Sequence, residues 1–286
     1  MENKEHTLTE NELKKLPPFT QSLLSHALHE RDDFDTPGHH SGAFYEMTEE
    51  GNIFTKGLGK NAFLADISDS SSLIGDPFSH EGVSGMAEEM AARTWQSDLC
   101  RFVLGGTSTS NRICASALLS ENDLVLFDRN NHKSTYQGAL IQAGARAVYL
   151  GSERNGEGVI DTLDPAFLDS DFLRKKAAAI DPSLAQKERP FRLACLQLAT
   201  YDGLFLNAKM ILEKLGLLCD YILFDGAWAG YENFISLLKD SAVLTFPLGP
   251  EDPGILVTQS VHKQLAGFSQ TSQIHKKDSH IKGEKR

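Results

Sequence analysis

From about residue 101 onward, short apolar runs alternate with helical segments, and this alternation constrains the chain more than any other feature. The runs are RFVL (101–104), DLVLFD (123–128), AVYL (147–150), LACLQLA (193–199), DYILFD (220–225) and ILVTQS (255–260). Helical segments are expected from about Thr109, near 134–143 and at 207–216. Runs that are apolar on both faces and separated by helices predict parallel strands covered on each side. The expected fold is therefore α/β, with one mostly parallel sheet flanked by helices.

The N-terminal part reads differently. Thr9 and Glu12 form a T-x-x-E capping box ahead of a short helix that Pro17-Pro18 stops. Phe19, Leu23, Leu24, Ala27 and Leu28 then recur at helical spacing. Residues 1–34 are expected to be a helical lead-in and 35–286 the main domain. Residues 35–82 are rich in Gly, Ser and Asp and predict loops with short strand fragments at most. An amphipathic helix follows, with Val83, Met86, Ala87, Met90, Ala91 and Trp95 on one face.

Composition narrows the class. Among 286 residues, 41% are hydrophobic and 23% charged, as in an ordinary globular protein with a sizeable core. A net charge of −11 repels nucleic acid and anionic membrane, so neither is expected as a partner. No apolar stretch approaches the ~20 residues of a membrane span, and the polar N-terminus has no signal-peptide core. Cys100, Cys114, Cys195 and Cys219 lack C-x-x-C spacing and adjoin apolar runs, which predicts buried reduced thiols in a cytoplasmic protein.

In a parallel sheet, ligands bind at the carboxyl ends of the strands. Four polar clusters fall at such ends. GGTSTSN (105–111) combines glycines, hydroxyls and a helix start, which suits a phosphate; it is equally a common helix N-cap, and it is neither a Walker A loop nor G-x-G-x-x-G. His132, in DRNNHKS, has a flat face able to stack on a ring, although a lone histidine is usually structural. Asp225 precedes the small Gly226 and Ala227; it can cap a helix, pair with a cation, or pair with a protonated ring nitrogen. Lys263 sits among small and apolar residues, where burial would lower its pKa and free the amine for Schiff-base chemistry. Ser260 and His262 beside it offer further phosphate contacts. His39, His40, His275 and His280 fit no zinc spacing, so no metal is expected.

Taken together, DTPGHHSG, FVLGGTSTSN, LVLFDRNNHKS, the YDG of ATYDG, CDYILFDGAWAGYENF and GPEDPGILVTQSVHKQLAGFSQTSQIHKKDSHIKG resemble the bacterial ornithine/lysine/arginine decarboxylases. These belong to fold type I of the pyridoxal 5′-phosphate (PLP) enzymes, the aspartate-aminotransferase-like fold. The segments follow the family order from about residue 35 to the end and look closest to the ornithine branch. The resemblance implies that Lys263 holds PLP as a Schiff base, Asp225 pairs with the pyridine nitrogen and His132 stacks on the ring. Thr107, Ser108, Ser260 and His262 would hold the phosphate, and Ala227 would pack against the ring. The implied reaction is decarboxylation of a basic amino acid, L-ornithine to putrescine and CO2, by a homodimer or higher homo-oligomer.

Two departures bear on that expectation. The family's chains are much longer, so this chain reads as an incomplete large domain, with the smaller C-terminal domains and the flavodoxin-like N-terminal wing absent. DGAW replaces the commoner DSAW, and Ser110 stands where alanine is often found. The alternative expectation is therefore a catalytically silent PLP-binding fragment, or a partner of a full-length homologue. Aminotransfer fits less well, because VHKQLAGFSQTSQIHKK resembles the decarboxylases.

Overall fold

The computed structural model describes residues 8–27, 36–68 and 74–278. The chain divides into two compact units, Met1–Ala91 and Ala92–Arg286, with the division inside the helix Gly82–Trp95. The boundary expected at 34/35 lies outside the described residues, as does Leu28.

In the first unit the expected capping box is present. Thr9 accepts from the Glu12 backbone N–H, and Glu12 reaches back to the Thr9 N–H over the helix Glu10–Leu13. Pro18 does more than stop that helix, since it is the first residue of the next, Pro18–Ala27, where a missing N–H costs nothing.

The loops expected across 35–82 are corrected over residues 40–64. That stretch is mainly helical: a 3-10 segment His40–Met47, then the α-helices Glu49–Leu58 and Lys60–Leu64. Thr48 caps the middle helix by accepting from Gly51 N–H, and Glu49 and Glu50 complement its dipole. Tyr45, Phe54 and Phe63 meet ring to ring at 5.2–5.7 Å between centroids, enough apolar contact to hold Gly- and Asn-containing segments helical.

The helix Gly82–Trp95 forms as expected, but its apolar face is not uniformly buried. Met86 is 51% and Met90 40% exposed, whereas Glu88 is buried with the His80 ring 2.8 Å from its carboxylate.

The second unit is built on a seven-stranded sheet. Its strands are β1 (Leu99–Val103), β2 (Leu124–Asp128), β3 (Arg146–Leu150), β6 (Phe191–Gln197), β7 (Cys219–Gly226), β8 (Gly254–Ser260) and β9 (Ser272–Lys277). A separate hairpin joins β4 (Ser152–Arg154) to β5 (Ile160–Leu163). The order across the sheet is β1-β9-β8-β7-β6-β2-β3.

From β8 to β3 every pairing is parallel, and β9 is antiparallel to both of its neighbours. Two reversals leave β1 pointing the same way as β8. The carboxyl ends of β1, β2, β6, β7 and β8 therefore share one edge. β9 is an element not anticipated above: its SQIHKK run is short and mixed, and only pairing on both sides makes it a strand.

Each central strand sends alternate residues into two cores, as full coverage requires. Leu126, Ala194, Leu196, Ile222, Phe224, Ile255 and Val257 face Leu173, Ala177, Ile211 and Leu215. Val125, Phe127, Leu193, Cys195, Leu223 and Leu256 face Cys114 and Ala115 of the helix Gly106–Leu118, its C-cap Leu119, and Ala139 beyond it. The helix expected at 134–143 begins as Lys133–Tyr136 and continues as one wide π turn, Gln137–Gln142. All four cysteines are free and buried, and burial pushes the Cys114 thiol up to about 12.

Phe224, fully buried in the larger core, tests this packing. Phe224→Ala should lower unfolding stability by about 3–5 kcal/mol. In urea denaturation this would appear as a lower midpoint with an unchanged slope.

Candidate active site

At the shared carboxyl edge lies a pocket of about 340 Å³, and all eight residues expected from the sequence line it. They arrive from four strand ends. Thr107 and Ser108 follow β1, His132 follows β2, Asp225 lies near the end of β7 with Ala227 just past it, and Ser260 ends β8 with His262 and Lys263 following.

The helix Gly106–Leu118 starts at this edge with no side-chain cap at Gly105, so its first-turn N–H groups are free to meet an anion. Gly106 takes φ +67°, a left-handed conformation that favours glycine. A Cβ there would stand 3.4 Å from His262 Cε1, closing the space between the helix start and the histidine. Thr107 and Ser260 place their hydroxyls 2.7 Å apart. His262 Nδ1 lies 2.7 Å from the Thr271 carbonyl, which can only accept, so Nδ1 carries a proton and Nε2 is the nitrogen left over.

Asp225 is the buried acid of the site, 1% exposed. Its Oδ2 accepts from Asn111 Nδ2 at 2.8 Å and its Oδ1 from the Ala227 backbone N–H at 3.0 Å. Burial pushes its pKa up, opposed by these two donors and by His132 and Lys263. Among the described residues, no lysine, arginine or histidine lies in salt-bridge range of it. Such a carboxylate is suited to a cationic N–H brought in by a ligand.

Lys263 departs from the expectation of burial. It sits on the one-turn helix Val261–Gln264, solvent-exposed at the pocket wall, with Nζ 4.2 Å above the Trp228 ring. The short helix carries the side chain past the sheet edge rather than into the core. Partial desolvation still lowers its pKa, and the Asp225 charge opposes that shift.

His132 is likewise exposed, at the N-cap of the helix Lys133–Tyr136. Its Nδ1 accepts from the Ser134 backbone N–H at 3.3 Å, which leaves the neutral ring's proton on Nε2. Asn131 ties this loop down by donating to the carbonyls of Asp128 and Cys195.

Four further lining residues were not singled out from the sequence: Asn111, Gln197, Trp228 and Gln270. Asn111 lies one helical turn after Thr107 and so shares its face, a legible signal. Gln197 is a polar residue at the carboxyl end of β6, also legible. Gln270 comes from an irregular loop and carries no comparable mark.

Among the histidines weighed as metal ligands, His275 lies inside the sheet. Its Nδ1 is 2.8 Å from the Ser97 hydroxyl, and burial pushes its pKa down to about 3. His280 lies outside the described residues. No helix among the described residues is long and apolar enough to cross a membrane.

Residues 17–286 match the family described as Orn/Lys/Arg decarboxylase, major domain. The chain is 50% identical over 270 residues to the inducible ornithine decarboxylase of Escherichia coli K12, covering 94% of this chain and 37% of that protein. It is 51% identical over 272 residues to the inducible ornithine decarboxylase of Lactobacillus sp. strain 30a, covering 95% of this chain and 37% of that one. Among solved structures, lysine decarboxylase A from Pseudomonas aeruginosa superposes with a TM-score of 0.87 at 35% identity, covering 96% of this chain and 36% of the other. The chain thus spans somewhat over a third of the length of the curated relatives it matches. On the family match and these identities, the chain belongs to the ornithine/lysine/arginine decarboxylase family and corresponds to its major domain.

Proposed function

We propose that this chain is the cofactor-binding part of a PLP-dependent carboxy-lyase acting on a basic amino acid, with L-ornithine converted to putrescine and CO2. The observation that carries the reading is the buried Asp225 carboxylate, without a cationic partner among the described residues, in a pocket whose wall bears the Lys263 amine. The ornithine assignment rests on the relatives, about half of whose aligned residues are shared. A homodimer or higher homo-oligomer in the cytoplasm belongs to the same proposal.

In this reading Lys263 carries the cofactor, and Asp225 holds a proton on the ring nitrogen. Thr107, Ser108, Ser260, His262 and the uncapped helix start hold the phosphate. His132, its Nδ1 occupied by the Ser134 N–H, would stack on the ring, and the small Ala227 would pack against it. PLP, when bound, supplies an electron sink for the pair left by the departing carboxylate. The chain's own task is to bind, orient and keep one proton in place. Trp228 keeps the Lys263 ammonium at the wall in the free chain, by attraction to the indole face.

A second reading is favoured by one observation. Asp225 is the only acidic residue among the described residues that line the pocket, so no second carboxylate there receives a distal ammonium. In that reading the chain binds PLP without turning over alone, as a fragment or as the partner of a longer homologue.

CO2 release from ornithine in the presence of PLP separates the two. Turnover by the isolated chain supports the first reading, and bound cofactor without CO2 the second. Absence of PLP binding, followed by absorbance, would sink both. If the chain turns over, Asp225→Asn should cut the rate by about 10²–10³ while leaving cofactor attached, since it removes one preorganised charge.

The Lys263 environment gives a signed pH prediction. Its lowered pKa means that the amine is neutral, and hence reactive, below the ordinary lysine range. Asp225→Asn removes the influence that opposes this and should move the reactivity midpoint further down. Measuring the acylation rate of Lys263 against pH in the cofactor-free chain reads the shift; an upward movement would contradict the geometry.

A further inference from the structure

Asn111 is fully buried on the face of the sheet that bears Asp225. In the register, Asp225 of β7 pairs with Thr258 of β8, so both side chains project to the same side, toward the helix Gly106–Leu118. All the polar atoms of the Asn111 side chain are engaged. Its Oδ1 accepts from the Thr258 hydroxyl at 2.7 Å, and its Nδ2 donates to Asp225 Oδ2 at 2.8 Å and to Ser134 Oγ at 3.1 Å.

The direction of each bond follows from these partners. An ionised carboxylate only accepts, so the amide nitrogen must face Asp225 and the amide oxygen must face Thr258. The Ser134 hydroxyl, 2.8 Å from His132 Nδ1, accepts from Asn111 and is thereby aimed to donate to the ring. One amide thus connects the acid of the site with the histidine at its rim, through donors that all run one way.

We infer that Asn111 is a positioning residue: gripped by Thr258, it holds the Asp225 carboxylate ionised and aligned and aims Ser134 at His132. The inference rests on the proposed function for its chemical meaning, since a fixed anion at Asp225 is what a protonated ring nitrogen requires. The groups that face Asp225 and share its electrostatics are His132, Lys263 and the thiols of Cys114 and Cys195.

The test begins on the cofactor-free chain, so its outcome does not depend on PLP binding. Carboxyl-labelled aspartate, with Asp225 assigned through Asp225→Asn, reports the Asp225 titration by NMR. In the parent chain, the Asn111 side-chain amide protons should shift with the same midpoint as the Asp225 carboxyl. Asn111→Leu keeps the bulk and removes the donor, and Thr258→Val keeps Asn111 but releases its grip.

The Asp225 midpoint should rise by about one pH unit in Asn111→Leu and by less in Thr258→Val. With PLP labelled at the ring nitrogen, the ring proton should be lost at lower pH in Asn111→Leu than in the parent. An Asp225 midpoint unchanged in whichever variant stays folded would overturn the inference. So would Asn111 amide protons in the parent that do not respond to Asp225. Failure of the chain to take up PLP would count against the proposed function while leaving these readings intact.

Discussion

Asp225 is a carboxylic acid removed from water at the end of a central strand, and the hydrogen-bond donors around it favour its charged form. Burial alone would favour the neutral acid. Two short hydrogen bonds oppose that, one from the following turn at Ala227 and one from the helix face at Asn111. The first is local to the strand end, whereas the second is available because β7 lies in the sheet under the helix Gly106–Leu118. The parallel register that aligns Gln197, Asp225 and Thr258 in one row is therefore what makes a charged group tolerable there. A slip of one residue would turn Asp225 toward the opposite, wholly apolar core.

This arrangement explains which parts of the fold were readable beforehand. LVLFD, LACLQ and YILFD have apolar residues on both faces because both faces are packed, so their burial left an unmistakable trace. Their direction followed from the helices between them, and with it the edge on which Thr107, His132, Asp225 and Ser260 meet. β9 was not readable, because SQIHKK is a strand only by virtue of its two neighbours. The helices at 49–64 were obscured by glycine and asparagine, whose weak local preference is overridden by the Tyr45, Phe54 and Phe63 contacts.

The site shows the same division. Residues with distinctive chemistry at strand ends were legible as pocket lining, whereas the partners that link them across the sheet were not. The spacing of Asn111 from Thr107 marks its helix face, but its partners Thr258, Asp225 and Ser134, far apart in sequence, come within reach of one amide only in the fold. The exposure of Lys263 was also illegible: small and apolar neighbours suggested burial, yet a single helical turn past β8 lifts the side chain to the pocket wall beside Trp228. Local composition reports what a segment contains, and only the tertiary path decides which way one side chain leaves it.

The proposed function assigns one covalent position, Lys263. In that proposal Lys263, alone among the chain's lysines, reacts with PLP in a defined site. The most direct measurement is peptide mapping by mass spectrometry after incubation with stoichiometric PLP and borohydride reduction. The account predicts one phosphopyridoxyl group per chain, on the peptide containing Lys263, and none on that peptide in Lys263→Ala. Label spread over surface lysines in proportion to their exposure, or concentrated on another residue, would contradict it.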